Sequence, residues 1–204
     1  MQQLDWLDKT LNINRNHLSI RLLPGFIDAG EADTLLKHLI EVTAWQQPRI
    51  KVYGKWHPTP RLVSFYGDAP LSYGYSETLH GPQPWTAKLS DLNARLSRMP
   101  CKRFNSVLLN YYRDGRDTMG WHADDEKELG TQPTIASLSL GAARDIHFKS
   151  KSGEDELIKL NLASGSLLIM EGDTQQYWLH HIPKRAKCTT PRINLTFRNI
   201  IARN

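Results

Sequence analysis

Apolar residues recur at two different periods along the chain, and the change of period falls near its middle. In "IDAGEADTLLKHLIEV", Leu35, Leu36, Leu39 and Ile40 share one helical face, and Asp28 stands where a carboxylate can cap the first free amides. In "TAKLSDLNARLS", Leu89, Leu92 and Leu96 recur at i, i+3 and i+7, which predicts a second helix. Between them, "RIKVYGKWHPTPRLVSFYGD" reads as a hairpin and a following strand, punctuated by Gly54, Pro58 and Pro60. From Ser106 onward the period shortens to two. "SVLLNYY", "TIASLSL", "DIHFKS", "LIKLNL", "SLLIM" and "RINLTFRNI" are short, β-rich and bounded by Gly, Pro, Asp and Lys. Strands so short and closely spaced predict an antiparallel sandwich or jelly roll. The expected class is α+β: a jelly-roll core with the helices packed on one sheet.

The last of these strands raises the question of function. In "RINLTFR", Ile193, Leu195 and Phe197 alternate with Arg192, Asn194, Thr196 and Arg198. A pleated strand sends the two sets to opposite faces. An edge strand with its polar face in water accounts for this pattern. So does an interior pocket, because arginine grips a carboxylate bidentately. The strand alone does not choose.

Composition narrows the field. The chain has 204 residues, 40% of them hydrophobic, and six tryptophans, which suits one globular domain. No stretch is apolar enough to span a membrane, and "MQQLDWLDKT" lacks the basic and apolar regions of a secretory signal. With two cysteines, Cys101 and Cys188, neither a disulfide framework nor a zinc ribbon is expected, and a reducing compartment follows as the expectation. The net charge of +5 permits a polyanionic partner.

Candidate chemistry begins in "GWHADDEKELG", where an imidazole, His122, precedes a carboxylate, Asp124, by two residues. On an extended segment these side chains project to one side and can converge on one ion. A lone His-x-Asp is often mere surface polarity. Its weight rises because "YWLHHIPKR" supplies a second histidine, His180 or His181, on a later strand. Two histidines and one carboxylate form the facial triad that holds Fe(II) with positions left open. Spacing does not choose between His180 and His181.

Taken together and in order, "NYYRDGRDTMGWHADDEKELG", "ASLSLGAARDIHF", "GSLLIMEG", "YWLHHIPKR" and "PRINLTFR" resemble the AlkB-type 2-oxoglutarate- and Fe(II)-dependent dioxygenases, which repair alkylated nucleic acid. The likeness runs from about Val52 to Ile200. "VYGKWHPTPR" and "YGDAPLSYGYS" are similar to the substrate-binding segments of the branch acting on double-stranded DNA. The resemblance implies iron ligation by His122, Asp124 and His180, the last chosen by its distance from Pro183. It also implies 2-oxoglutarate binding by Asn110, Tyr112, Arg192, Asn194, Thr196 and Arg198. Substrate contacts fall on Val52, Tyr53, Gly54, Lys55, Tyr73, Gly74, Tyr75 and Asp125, with Val52 and Tyr53 at the tip of a hairpin suited to wedge into a duplex. Lys51, Lys55, Arg61, Lys184, Arg185 and Lys187 are expected near the mouth, facing phosphates.

The activity implied is oxidative demethylation of 1-methyladenine and 3-methylcytosine in DNA with Fe(II), 2-oxoglutarate and O2, releasing succinate, CO2 and formaldehyde. The organisation expected is one continuous domain: an N-terminal segment with a helix (1–50), recognition hairpins and a helix (51–100), and a jelly-roll catalytic core (101–204). The expected partner is DNA, double-stranded first, with single strands or RNA as further substrates. A monomer, cytoplasmic or nuclear, completes the expectation. The alternatives are an RNA or protein oxygenase of the same class, a zinc-binding cupin, and a non-catalytic nucleic-acid-binding jelly roll.

Overall fold

The structure, a computed structural model, describes residues 10–52, 54–68, 81–99 and 103–201. Two antiparallel sheets face each other. The major sheet has seven strands. In spatial order they are β1 (Leu11–Arg15), β2 (Leu18–Leu23), β11 (Leu167–Glu171), β8 (Ile135–Gly141), β13 (Arg192–Arg198), β6 (Ser106–Tyr112) and β5 (Leu62–Gly67). The minor sheet runs β10 (Ile158–Leu162), β9 (Arg144–Ser150), β12 (Trp178–Ile182) and β7 (Met119–His122). A separate hairpin joins β3 (Arg49–Val52) to β4 (Lys55–Pro58). Gly54 lies in its turn at φ +79°, a left-handed conformation that glycine adopts without strain.

Alternation along the central strands builds two cores. Ile193, Leu195 and Phe197 of β13, with Val107 and Leu109 of β6 and Leu138 and Leu140 of β8, face the helices. There they meet Leu35 and Leu39 of α1 (Ala29–Val42) and Leu89, Leu92 and Leu96 of α2 (Ala87–Leu96). Each such side chain contributes on the order of 1.5–3 kcal/mol by leaving water. Asp28 caps α1, accepting from the Glu31 amide at 2.8 Å, and Thr86 caps α2 from the Leu89 amide. The other core fills the space between the sheets with Ile20, Leu108, Ile135, Phe148, Leu168, Met170, Trp178 and Ile182.

The jelly-roll expectation and the placing of both helices on one sheet are therefore borne out. β13 is no edge strand: it pairs β8 on one side and β6 on the other. Its polar face is buried between the sheets, so the interior-pocket reading holds. The N-terminal hairpin of β1 and β2 extends the major sheet by pairing β2 with β11. A one-turn helix, α3 (Thr174–Tyr177), links β11 to β12.

Candidate functional site

Between the sheets, the polar sides of β6, β8 and β13 meet the inward side of β7 and β12. A cavity of about 40 Å³ is lined by Asn110, Tyr112, His122, Asp124, His180, Arg192, Asn194, Thr196 and Arg198 among others. Register brings the histidines together: His180 of β12 pairs directly with His122 of β7. Their ring centroids are 4.2 Å apart. One residue further on, His181 points to the outer side of the minor sheet. Its ring stacks on Trp121, centroids 3.8 Å apart, and its Nε2 lies 3.1 Å from His147 Nδ1. Of the two adjacent histidines, His180 enters the cavity and His181 does not.

Asp124 follows β7 and is buried. Arg198 Nη2 donates to its Oδ1 at 2.5 Å, bridging the two sheets. Burial works against the carboxylate's charge, but the Arg198 guanidinium holds its pKa below the usual carboxylate range. Burial lowers both cavity histidines, His180 to about 3, and His122 further disfavours a charged His180. At neutral pH the three groups are two neutral imidazoles and one carboxylate. That donor set suits a divalent transition metal such as Fe(II). As placed, no group of three His, Cys, Asp or Glu side chains among the described residues meets ion-holding spacing. The chemistry of the donors fits.

The opposite wall is cationic. Arg192 is 1% exposed, donates Nη2 to Ser139 Oγ at 3.0 Å, and its buried Nε and Nη1 have no hydrogen-bond partner among the described residues. Burial depresses its pKa to about 10, so it stays charged at neutral pH. Its guanidinium carbon lies 5.2 Å from the centre of the Tyr112 ring, and that of Arg144 lies 5.7 Å from the same ring. A buried cation with two idle donors is costly unless an anion meets it. Arg192 therefore fits the distal carboxylate of a 2-oxo diacid.

Other expected residues are placed differently from one another. Asn110 Oδ1 accepts from Arg61 Nε at 2.7 Å, and Thr196 donates to Asn194 Oδ1 at 2.8 Å. Asn194 Nδ2 donates in turn to Ser137 Oγ. Arg61 was expected at the phosphate-facing mouth; it is instead 4% exposed, because its guanidinium is drawn inward to Asn110. Asp125 is exposed and paired with Lys151 Nζ at 3.1 Å. Lys51, Gly54 and Lys55 lie exposed on the β3–β4 hairpin. Tyr53, Tyr73, Gly74 and Tyr75 lie outside the described residues, and of Val52 only its backbone place in β3 is described. Lys184, Arg185 and Lys187 are exposed on a loop clasped by Gly115. There a Cβ would stand 1.9 Å from the Arg185 carbonyl oxygen, so only glycine fits.

Sequence reasoning missed Ser137, Ser139, Arg144 and Gln175. The two serines alternate with Ala136, Leu138 and Leu140, the same signal that marked β13. Arg144 is fully buried and donates to the carbonyls of Asp114, Asp117 and Pro183. Nothing in its local sequence announces that role, nor that of Gln175.

A model of the 2OG-Fe(II) oxygenase superfamily matches residues 19–198. The chain belongs to that superfamily. It is 41% identical over 182 residues to the bovine DNA oxidative demethylase ALKBH2, covering 84% of this chain and 66% of that protein. The mouse alpha-ketoglutarate-dependent dioxygenase alkB homolog 3 is 41% identical over 188 residues, with 88% and 65% covered. Human ALKBH2 is 40% identical over 190 residues, with 90% and 73% covered. The chain thus spans about two thirds of the length of these relatives. The solved structure of OsALKBH1 superposes with a TM-score of 0.62 at 21% identity, covering 92% of this chain and all of that one, a likeness of fold. An oxygenase of AlkB type is what the motifs resembled. Among the described residues, no helix is long and apolar enough to cross a membrane.

Proposed function

We propose that this oxygenase demethylates N-alkylated bases in DNA, 1-methyladenine and 3-methylcytosine among them, using Fe(II), 2-oxoglutarate and O2 and releasing succinate, CO2 and formaldehyde. The observation that carries the reading is Arg192: a buried guanidinium with idle donors, facing a two-histidine, one-carboxylate set across one cavity. In this reading His122, Asp124 and His180 hold the iron. Arg192 anchors the far carboxylate of 2-oxoglutarate, Tyr112 packs beside that arginine, and Asn110, Asn194, Thr196 and Arg198 line the remainder of its seat. When bound, iron and 2-oxoglutarate supply the oxidation of the N-methyl group. The protein orients the methyl and keeps water and competing acceptors away.

His122 also lines a second cavity of about 560 Å³ between the hairpin and β7, walled by Pro48, Ile50, Pro60, Met119 and Trp121 among others. Its size and apolar walls suit a flipped base, and a base that has lost Watson–Crick pairing costs less to flip. Lys51 and Lys55 on the hairpin and Lys184, Arg185 and Lys187 beyond β12 are exposed cations, which supports a role in meeting phosphates. The DNA substrate is supported by relatives named DNA oxidative demethylases. The roles of Val52, Tyr53, Tyr73, Gly74, Tyr75 and Asp125 toward the base and duplex rest on their sequence match.

The test is anaerobic reconstitution with Fe(II) and 2-oxoglutarate, then admission of O2 to methylated DNA and RNA oligonucleotides, read by mass spectrometry. Methyl loss from DNA with matching succinate is the expected result. Faster loss from RNA would move the substrate to RNA. Succinate without loss from either would leave an oxygenase of another substrate, and no succinate at all would leave a binding module.

A further inference from the structure

We propose that Gln175 is a positioning residue that fixes the backbone of Asp124 and so sets the affinity of the site for its metal. The inference rests on the reading of Asp124 as an iron ligand. Asp124 lies beyond the end of β7, where no strand ladder holds its main chain. Its amide donates instead to Gln175 Oε1 at 2.9 Å. Gln175 is 1% exposed, and among the described residues its own Nε2 meets only the Met170 thioether, at 3.4 Å. A sulfur is a weak acceptor, so this amide is poorly rewarded for leaving water on that side. An apolar side chain of the same length would bury at less cost. What it would lack is the acceptor for Asp124.

The support behind Gln175 is rigid. Its neighbour Thr174 accepts from the Ser19 amide at 2.9 Å and donates to the Glu171 carbonyl at 2.6 Å, which ties α3 to β2 and β11. Lys151 Nζ then bridges the Gln175 carbonyl and the Asp125 carboxylate, each at 3.1 Å. Two consecutive residues of the acidic segment are thereby fastened to one residue of α3. Arg198 of β13 holds the Asp124 carboxylate, while Gln175 of α3 holds its main chain. A neutral amide does this without adding a second negative charge beside Asp124. Partners behind a metal ligand commonly set metal affinity by ten- to a hundredfold.

The experiment measures Mn(II) binding to the full chain by the electron paramagnetic resonance of free Mn(II), with 2-oxoglutarate present. Gln175→Met keeps length and removes the acceptor; about tenfold or greater weakening is expected. Gln175→Glu keeps an acceptor but adds a buried negative charge beside Asp124, so it is expected to recover part of the affinity that the Met variant loses. Thermal melts without metal report folding separately, and Gln175→Leu replaces the Met variant if that fails to fold. Parent-like Mn(II) affinity in the Met or Leu variant overturns the proposal, as does equal loss in the Met and Glu variants. Asp124→Ala separates the two levels. If it binds Mn(II) as the parent does, the ligand reading itself falls; if it alone loses Mn(II), only the role of Gln175 falls.

Discussion

Arg192 and the two adjacent histidines show how much single residues decide here. Arg192 is held charged in a buried site with Nε and Nη1 idle, so its replacement removes a charge-assisted grip rather than a packing contact alone. Arg192→Met is expected to cost roughly 2–4 kcal/mol of 2-oxoglutarate binding. Steady-state kinetics check this: KM for 2-oxoglutarate rises steeply while KM for DNA stays near the parent value. Equal rises would mean that the variant loosens the strand as a whole. The histidines offer a sharper contrast, because His180 and His181 are neighbours in sequence and face opposite sides of β12. Loss of Mn(II) binding and of demethylation is expected for His180→Ala, with both largely kept in His181→Ala, which loses the stack on Trp121 and the contact with His147 on the outer side of the sheet. The reverse outcome would place the distal ligand one residue later. At this scale the sequence was readable where polar residues alternate with apolar ones, as in β13. It was unreadable for Arg144 and Gln175, whose partners are far away in the chain.

Elements were legible in proportion to the regularity of their pattern. Both helices declared themselves through leucine spacing, the first also through its Asp28 cap, and the short β-rich segments from Ser106 onward fall where they were expected. The β1–β2 hairpin did not. Its turn uses Asn16 and His17 at φ 45° and 65°, where glycine is the usual signal. Tertiary contacts hold it instead: His17 stacks on Tyr177 at 4.2 Å, and Trp178 Nε1 donates to the Asn16 carbonyl at 2.9 Å. β7 and β12 were legible only through His122 and the His180–His181 pair, which marked an extended segment and a later strand, because their polar inward residues belong to the site rather than the core. The loop between β6 and β7 carries its own prediction. Asp117 accepts from the Arg113 amide and side chain at 2.8–2.9 Å, and its carbonyl accepts from buried Arg144. Burial works against the Asp117 charge, yet the Arg113 contacts hold its pKa below the ordinary value. A carboxyl depressed in the folded state adds stability above its unfolded pKa, about 3.9, and loses it as pH falls through the folded value. Arg113 is half-exposed, so the contribution is discounted for solvent. Asp117→Asn is expected to lower stability by about 1 kcal/mol at pH 7 and progressively less below about pH 4. Denaturant melts at both pH values measure it, and a deficit unchanged at low pH would assign the effect to something other than the charge.

Across the whole molecule, the site sits on the seam between the sheets. The major sheet contributes Arg192 and Arg198, the minor sheet His122 and His180, and Asp124 connects the two through Arg198. Arg144 stands close enough to Arg192 to disfavour its charge further. Two buried guanidinium groups, Arg192 and Arg198, line a cavity that offers them one carboxylate, Asp124. A dianion seated there relieves that imbalance and joins both sheets at once, so cosubstrate binding should register as stability of the entire fold. A ligand present at a hundred times its Kd stabilises by about 2.7 kcal/mol. For a domain of this size that is a rise in Tm of roughly 5–10 °C. The comparison is made with Mn(II) throughout, adding 2-oxoglutarate or 2-oxobutyrate, which keeps the 2-oxo acid and lacks the distal carboxylate. The full shift is expected only for 2-oxoglutarate, and Arg192→Met should reduce it to that of the monoacid. If the two acids shift the parent equally, or if Arg192→Met responds to 2-oxoglutarate as the parent does, the distal carboxylate is not held by Arg192 and the cationic wall serves another anion.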